Sequence, residues 1–263
     1  MSMRHVLIAA LALLATGTAR PADAQVLREL DPIDLDYVVG IKGEADPAGT
    51  YATRFEVVDT PRGRRLQVTA TLHYVFGQDA DDFVEFHRET TVWCDEEGIE
   101  RFEATTRQGD REESVSAFRR GIDYHLTVRR GDESKQRTET AGVRRSPLGF
   151  FAAAFQETPM TEGDLIVDFP TLVPAAGRHT AHQRYLSGKA PAQTASGETV
   201  RVAMSNLLHV STARDYLWHR VDHPYQPLLR MEEQVFHGVL VYQIARVNGE
   251  PVDWASAAVP LTP

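Results

Sequence analysis

Residues 51–74 read Tyr51-Ala-Thr-Arg-Phe55-Glu-Val-Val-Asp-Thr60-Pro-Arg-Gly-Arg-Arg65-Leu-Gln-Val-Thr-Ala70-Thr-Leu-His-Tyr74, and this stretch decides the fold. Tyr51, Thr53, Phe55 and Val57 recur at every second position, with Arg54 and Glu56 between them. Side chains alternate between the two faces of a strand, so this period makes one face apolar and the other charged. Thr60-Pro61-Arg62-Gly63 is a turn, since proline presets φ and glycine accepts φ > 0. Leu66, Val68, Ala70, Leu72 and Tyr74 then alternate with Arg65, Gln67, Thr69, Thr71 and His73. The stretch predicts a hairpin of two long strands, each apolar on one side, as in an antiparallel sheet with one face on a core.

The same period continues outward. Residues 83–94 read as a strand, Glu97-Gly98 as its turn and residues 99–107 as the next strand, with a turn at Gly109-Asp110. Residues 114–119 and 124–129 pair across Gly121, and Arg130-Gly131-Asp132 closes that strand. The middle differs. Ser146-Pro147 supplies an N-cap and a first helical residue, which predicts a short helix near 147–156. Residues 158–174 read as a loop with one strand around 165–169. Strands resume at 179–186, 200–209 and 216–221, with a polar hairpin loop at 188–197, and the last pair covers 229–236 and 239–247. The predicted class is all-β: a long antiparallel meander forming a strongly curved sheet or β-barrel, with one short helix. No composition break divides residues 25–263, which read as one β-rich domain. Phe150, Phe151, Phe155 and Phe169 make the 146–175 region a cap on the sheet rather than a linker.

The N-terminus carries an address. Arg4 and His5 precede an apolar run from Val6 to Ala15, and Ala22-Asp23-Ala24 is a small-x-small cleavage site. This is the layout of a secretory signal peptide over residues 1–24, cleaved after Ala24. The run is about ten residues, against the ~20 needed to cross a bilayer. No later apolar stretch reaches that length. The expected location is the periplasm, reached by export.

Composition narrows the function classes. The formal net charge of −9 argues against nucleic-acid partners, whose phosphates are neutralised by Lys and Arg. Cys94 is the single cysteine. It allows no intramolecular disulfide, so the fold must stand on its core, and it leaves no cysteine after the leader for a lipid anchor.

Several short motifs carry a resemblance. A strand ending in Glu89-Thr-Thr-Val-Trp93 is followed by a glycine turn and Ile99-Glu-Arg-Phe102. Later come Tyr216-Leu-Trp218, Pro224-Tyr-Gln-Pro227-Leu-Leu-Arg-Met231 and a final strand pair. Over residues 36–248 the chain resembles exported β-rich proteins of Gram-negative bacteria grouped as domains of unknown function. The resemblance implies export and a curved or barrel-like antiparallel sheet. It supplies no catalytic residues.

The candidate chemistry is sparse. Glu85, His87 and Glu89 occupy i, i+2 and i+4 of a strand, so they share one face at spacings of about 6.5–7 Å. Such a row can ligate a metal or supply an acid and a base. It is also what a solvated strand face looks like, and Phe83 and Trp93 flank it. His179 and His182 sit in strand context, where i and i+3 point to opposite faces. His219, Asp222 and His223 cluster before Pro224. No nucleophile elbow, phosphate loop, dinucleotide fingerprint or zinc-protease motif occurs. Cys94 inside a strand reads as a small buried hydrophobe, and Arg130-Gly131-Asp132 as an ordinary turn. The dibasic pairs at 64–65, 119–120, 129–130 and 144–145 read as charges that protect strand edges.

No cofactor and no metal site are expected. The favoured function is a non-catalytic binding or carrier module for a lipid or other apolar or amphipathic small molecule. The residues expected to line it are Phe55, Phe86, Trp93, Phe102, Phe150, Phe151, Phe155, Trp218 and Met231. A barrel of eight or more strands has room for such a ligand. The alternative is an envelope interaction or scaffold protein whose partner is another protein. A hydrolase or metal-dependent enzyme on the Glu85/His87/Glu89 face ranks below both.

Overall fold

The computed structural model describes residues 31–77, 83–95, 98–121, 123–140, 165–173, 178–193, 199–209, 214–220, 228–235 and 238–252. Every regular element among them is a strand. The first eight are β1 (Ile33–Ile41), β2 (Pro47–Thr60), β3 (Gly63–Gly77), β4 (Phe83–Asp95), β5 (Gly98–Gln108), β6 (Arg111–Arg120), β7 (Asp123–Arg130) and β8 (Glu133–Thr140). The rest are β9 (Leu165–Val173), β10 (Arg178–Gln193), β11 (Thr199–His209), β12 (Arg214–Arg220), β13 (Leu228–Val235), β14 (Gly238–Val247) and the short β15 (Glu250–Pro251). The leader at 1–24 and the predicted helix near 147–156, with Phe150, Phe151 and Phe155, lie outside the described residues.

All strands join one antiparallel sheet in the order β8-β7-β6-β5-β4-β3-β2-β1-β14-β13-β12-β11-β10-β9, with β15 beside β14. Chain neighbours pair almost throughout, which makes the sheet a meander. The exception is β1, which pairs with β14 and so joins the two halves of the chain. That seam is reinforced at its end. Asp34 N donates to Asn248 Oδ1, and Asn248 N donates to the Asp34 carbonyl, both at 2.8 Å. The outermost strands of the order, β8 and β9, are consecutive in the chain, and no pairing joins them among the described residues.

The decisive hairpin forms in the expected register: Tyr51 opposes Leu72, Thr53 Ala70, Phe55 Val68 and Val57 Leu66. Directly opposed residues share a face, so one face of the sheet can be followed from strand to strand. It carries Ile33, Leu35, Tyr37 and Val39 of β1, then Tyr51 to Val57 of β2, then Leu66 to Phe76 of β3. We call this the inner face. Gly49 opposes Tyr74, where a Cβ would lie 2.0 Å from the His73 carbonyl oxygen. Only glycine lets β2 approach β3 so closely. Arg130-Gly131-Asp132 is a hairpin turn, with Gly131 at φ +55° between the paired Arg130 and Glu133. That is the conformation a two-residue turn demands of its first central residue.

Three elements differ from the sequence reading. β1 carries the same alternation as β2 and lies at the heart of the sheet, although the pattern was expected only from Tyr51 onward. β8 has no apolar period at all, yet pairs with β7 over its whole length, because backbone hydrogen bonding alone suffices at a sheet edge. Residues 188–193, expected as loop, continue β10 beyond a bulge at Leu186/Gly188 and pair with β11.

The inner face packs into two apolar clusters. The first joins β1, β3, β4, β11, β13 and β14 through Leu35, Tyr37, Val39, Tyr74, Phe86, Val202, Leu229 and Tyr242, among others. The second joins β3 to β7 through Leu66, Val92, Cys94, Phe102, Val115, Ala117, Tyr124 and Leu126. Phe55 touches both. A flat sheet would leave this face open to solvent on one side, yet Val39, Phe102, Tyr124 and Tyr242 on it are at most 2 % exposed. The sheet is therefore strongly curved around its inner face.

Candidate functional site

β4 determines what faces inward. Its register with β3 places Val84, Phe86, Arg88, Thr90, Val92 and Cys94 opposite Phe76, Tyr74, Leu72, Ala70, Val68 and Leu66. Arg88 thus projects from the apolar face, between Phe86 and Thr90. Its guanidinium lies over the Phe86 ring at 4.9 Å from the centroid. Its Nε is buried and has no hydrogen-bond partner among the described residues. A buried donor left unpaired costs on the order of 1–3 kcal/mol.

Tyrosines surround this cation. Tyr37 and Tyr51 pack at 5.3 Å between ring centroids, and Tyr51 meets the edge of Tyr242 at 5.6 Å. Tyr74 stacks on Phe86 at 4.8 Å. The Tyr37 hydroxyl donates to the Leu228 carbonyl, and the Tyr242 hydroxyl donates to Glu233 Oε2 at 2.7 Å. Burial pushes the Tyr51 hydroxyl up to about 12, with the Thr53 hydrogen bond pulling the other way and Glu233 adding to the rise. Burial, then Glu233, raises Tyr242 well above the tyrosine range, and Arg88 opposes that shift. All three tyrosines Tyr51, Tyr74 and Tyr242 feel both Glu233 and Arg88. Register places Arg88 of β4 and Glu233 of β13 on the same inner face as these tyrosines.

That face is not uniformly buried. Tyr51, Phe55, Arg88, Thr90, Met231 and Glu233 are only partly buried, although their strand neighbours Phe86, Leu72 and Val39 are core. Among the residues expected to line a ligand, Phe55, Phe86, Phe102 and Met231 lie on this face; Phe86 and Phe102 are themselves buried. Trp93 does not. It opposes Gln67 and Arg101 on the other face, with the Arg101 guanidinium 3.7 Å from its ring centroid. Trp218 packs at the margin of the first cluster, with the Arg230 guanidinium 5.6 Å from its ring.

Glu85, His87 and Glu89 also project from the outer face, in phase with the 65 % exposed Phe83. Glu85 accepts a contact from His73 Nε2 at 2.8 Å, and Glu89 from His87 Nε2 at 3.1 Å. The two carboxylates are mostly exposed, at 69 % and 62 %. The row forms two His–carboxylate pairs on the outer surface, and no group of three or more His, Cys, Asp or Glu among the described residues could hold a metal ion. Glu85, His87 and Glu89 lie in the opposite phase to Phe86 and Val92 of the inner face. His179 and His182 both lie in β10. His219 is the penultimate residue of β12, opposite Leu228 and just past the bulge, and Asp222 and His223 lie outside the described residues.

The dibasic pairs need a different account from edge protection. β3 and β6 are interior strands. Arg119 is in phase with Val115 and Ala117 of the second cluster, and Arg65 is in the opposite phase to Leu66; Arg65 meets Glu100 at 2.7 Å and Arg119 meets Asp95 at 2.5 Å. All four side chains are largely buried. The Arg65 hydrogen bond holds the Glu100 carboxyl below the usual range against the opposing effect of burial.

Arg88 and Glu233 went unremarked in the sequence. The available signal was phase: Arg88 occupies the apolar beat of β4, where Phe86 and Val92 predict another hydrophobe.

Fold and inner face together define a class: an all-β, barrel-like antiparallel meander that presents a partly open, tyrosine-lined concave surface. No family model and no curated protein matches the chain. Its fold is similar to that of a β-barrel-like protein of domain of unknown function DUF1849 from Brucella abortus, known from a crystal structure. The two align with a TM-score of 0.59 and 11 % sequence identity, over 85 % of this chain and 98 % of that one. The shared feature is the fold.

Proposed function

We propose that the protein is exported to the periplasm, loses residues 1–24, and acts there as one β-rich domain that binds or carries an amphipathic small molecule on the inner face of its curved sheet. The observation that carries this reading is the partial exposure of Tyr51, Phe55, Val68, Arg88 and Met231 beside core side chains of the same face such as Leu72, Phe86 and Tyr242. A sheet whose only task was to fold would close over these side chains, since burying each apolar one is worth on the order of 1.5–3 kcal/mol. Charged and tyrosine groups among apolar walls are what an orienting ligand site contains. Native mass spectrometry of the protein purified from its own cells tests the reading. A non-covalent adduct of lipid-like mass is expected; bare polypeptide, together with no uptake of an added neutral apolar probe, would overturn it.

An interaction role has one supporting observation. On the outer face, Phe118 is 45 % exposed and stacks on His125 at 5.2 Å between centroids, beside the Trp93–Arg101 pair. The edge strand β8 argues the other way. Its sequence Glu-Ser-Lys-Gln-Arg-Thr-Glu-Thr is polar and charged, and residues 133–138 are exposed, which discourages strand addition.

A further inference from the structure

We propose that Arg88 anchors an anionic headgroup, carboxylate or phosphate, so that the ligand of the inner face is an apolar-tailed anion. This rests on the binding reading above and adds the ligand's chemistry.

Three observations point the same way. Arg88 stands in the apolar phase of β4, opposite Leu72 and beside Phe86, where a hydrophobe would pack without cost. Its Nε is buried and unpartnered among the described residues. A guanidinium presents a planar fork suited to two parallel hydrogen bonds with one carboxylate or phosphate. An anion seated there would satisfy the orphaned donor, and its apolar tail could run along the partly exposed Tyr51, Phe55 and Met231. Glu233 works as the complement. Its carboxylate accepts from Tyr242, and its negative charge on the same inner face disfavours an anion in any seat but the one at Arg88. The headgroup thus has one place and the tail one direction.

The test compares four twelve-carbon probes below their aggregation concentrations: dodecanoate, dodecyl phosphate, dodecanol and dodecyltrimethylammonium. Each displaces the neutral fluorescent probe N-phenyl-1-naphthylamine from the full chain lacking residues 1–24. A charge-assisted hydrogen bond is worth about 1.5–3 kcal/mol, so one or both anions should bind roughly ten- to a hundredfold tighter than dodecanol. Whichever anion binds tighter identifies the headgroup. Arg88→Gln should abolish that preference, with a circular dichroism spectrum and urea midpoint like those of the parent certifying that the variant is folded. Arg88→Lys, which keeps the charge and loses the fork, should fall between. Equal affinity for dodecanoate, dodecyl phosphate and dodecanol would overturn the headgroup assignment and leave the binding reading standing. So would a preference for dodecyltrimethylammonium, which would move the anchor to Glu233. Failure of the neutral probe to bind at all would overturn both.

Discussion

Single residues divide the inner face into what holds the fold and what faces a ligand. Phe102 is the clearest case of the first. It is fully buried at the centre of the second cluster, and Phe102→Ala should cost about 3–5 kcal/mol in chemical denaturation. Gly49→Ala should cost on the order of 1–3 kcal/mol or more by forcing β2 away from β3, a loss no rearrangement of a side chain can relieve because the clash is with backbone. The Arg65–Glu100 pair sets an acid limit. The Glu100 carboxyl lies below its ordinary range when folded, so its contribution is fully present above the unfolded value near 4.3 and is lost as pH falls through the folded one. Glu232 behaves alike: burial alone would raise it, but Lys42 and Arg230 hold it down. We therefore expect stability to drop below about pH 4, and Glu100→Gln to flatten that drop in a series of urea melts. An unchanged acid limb would remove Glu100 from the account.

At the scale of elements, the reading succeeded where alternation is strong and failed where it is absent or interrupted. β3 and β4 were legible because each carries four or more apolar residues on one beat, β2 because Tyr51, Phe55 and Val57 alternate with charged residues, and β5 because glycine turns bound it. β8 was not, since an edge strand needs only a neighbour's backbone. The end of β10 was hidden by Gly188, Pro191 and small residues that signal a loop but here continue past a bulge. The candidate lining residues were chosen for aromatic and methionine content, which carries no information on facing; period two puts Trp93 on the beat of Glu85, His87 and Glu89 and Phe86 on the other. Charge guards the β8 edge, and this too can be measured. Lys135→Val with Arg137→Val should leave the melting temperature within a few degrees and raise the aggregation rate several-fold in light scattering. Unchanged aggregation would show that the edge is covered by something other than charge.

For the whole molecule, the β1–β14 pairing is the defining event. It joins two meanders into one curved sheet, brings β4 and β14 into one apolar cluster, and leaves Arg88 and Glu233 on the same inner face as the tyrosines. That interior is invisible to sequence, because it depends on curvature over strands that are remote in the chain. The central claim is that this inner face is a binding surface. The most direct test is photolabelling with a twelve-carbon fatty acid carrying a terminal diazirine, followed by mass-spectrometric mapping of the labelled residues. Labels on Tyr51, Phe55 and Met231 are the expected result; labels confined to outer-face residues such as Phe83 and Phe118, or none at all, would contradict the account.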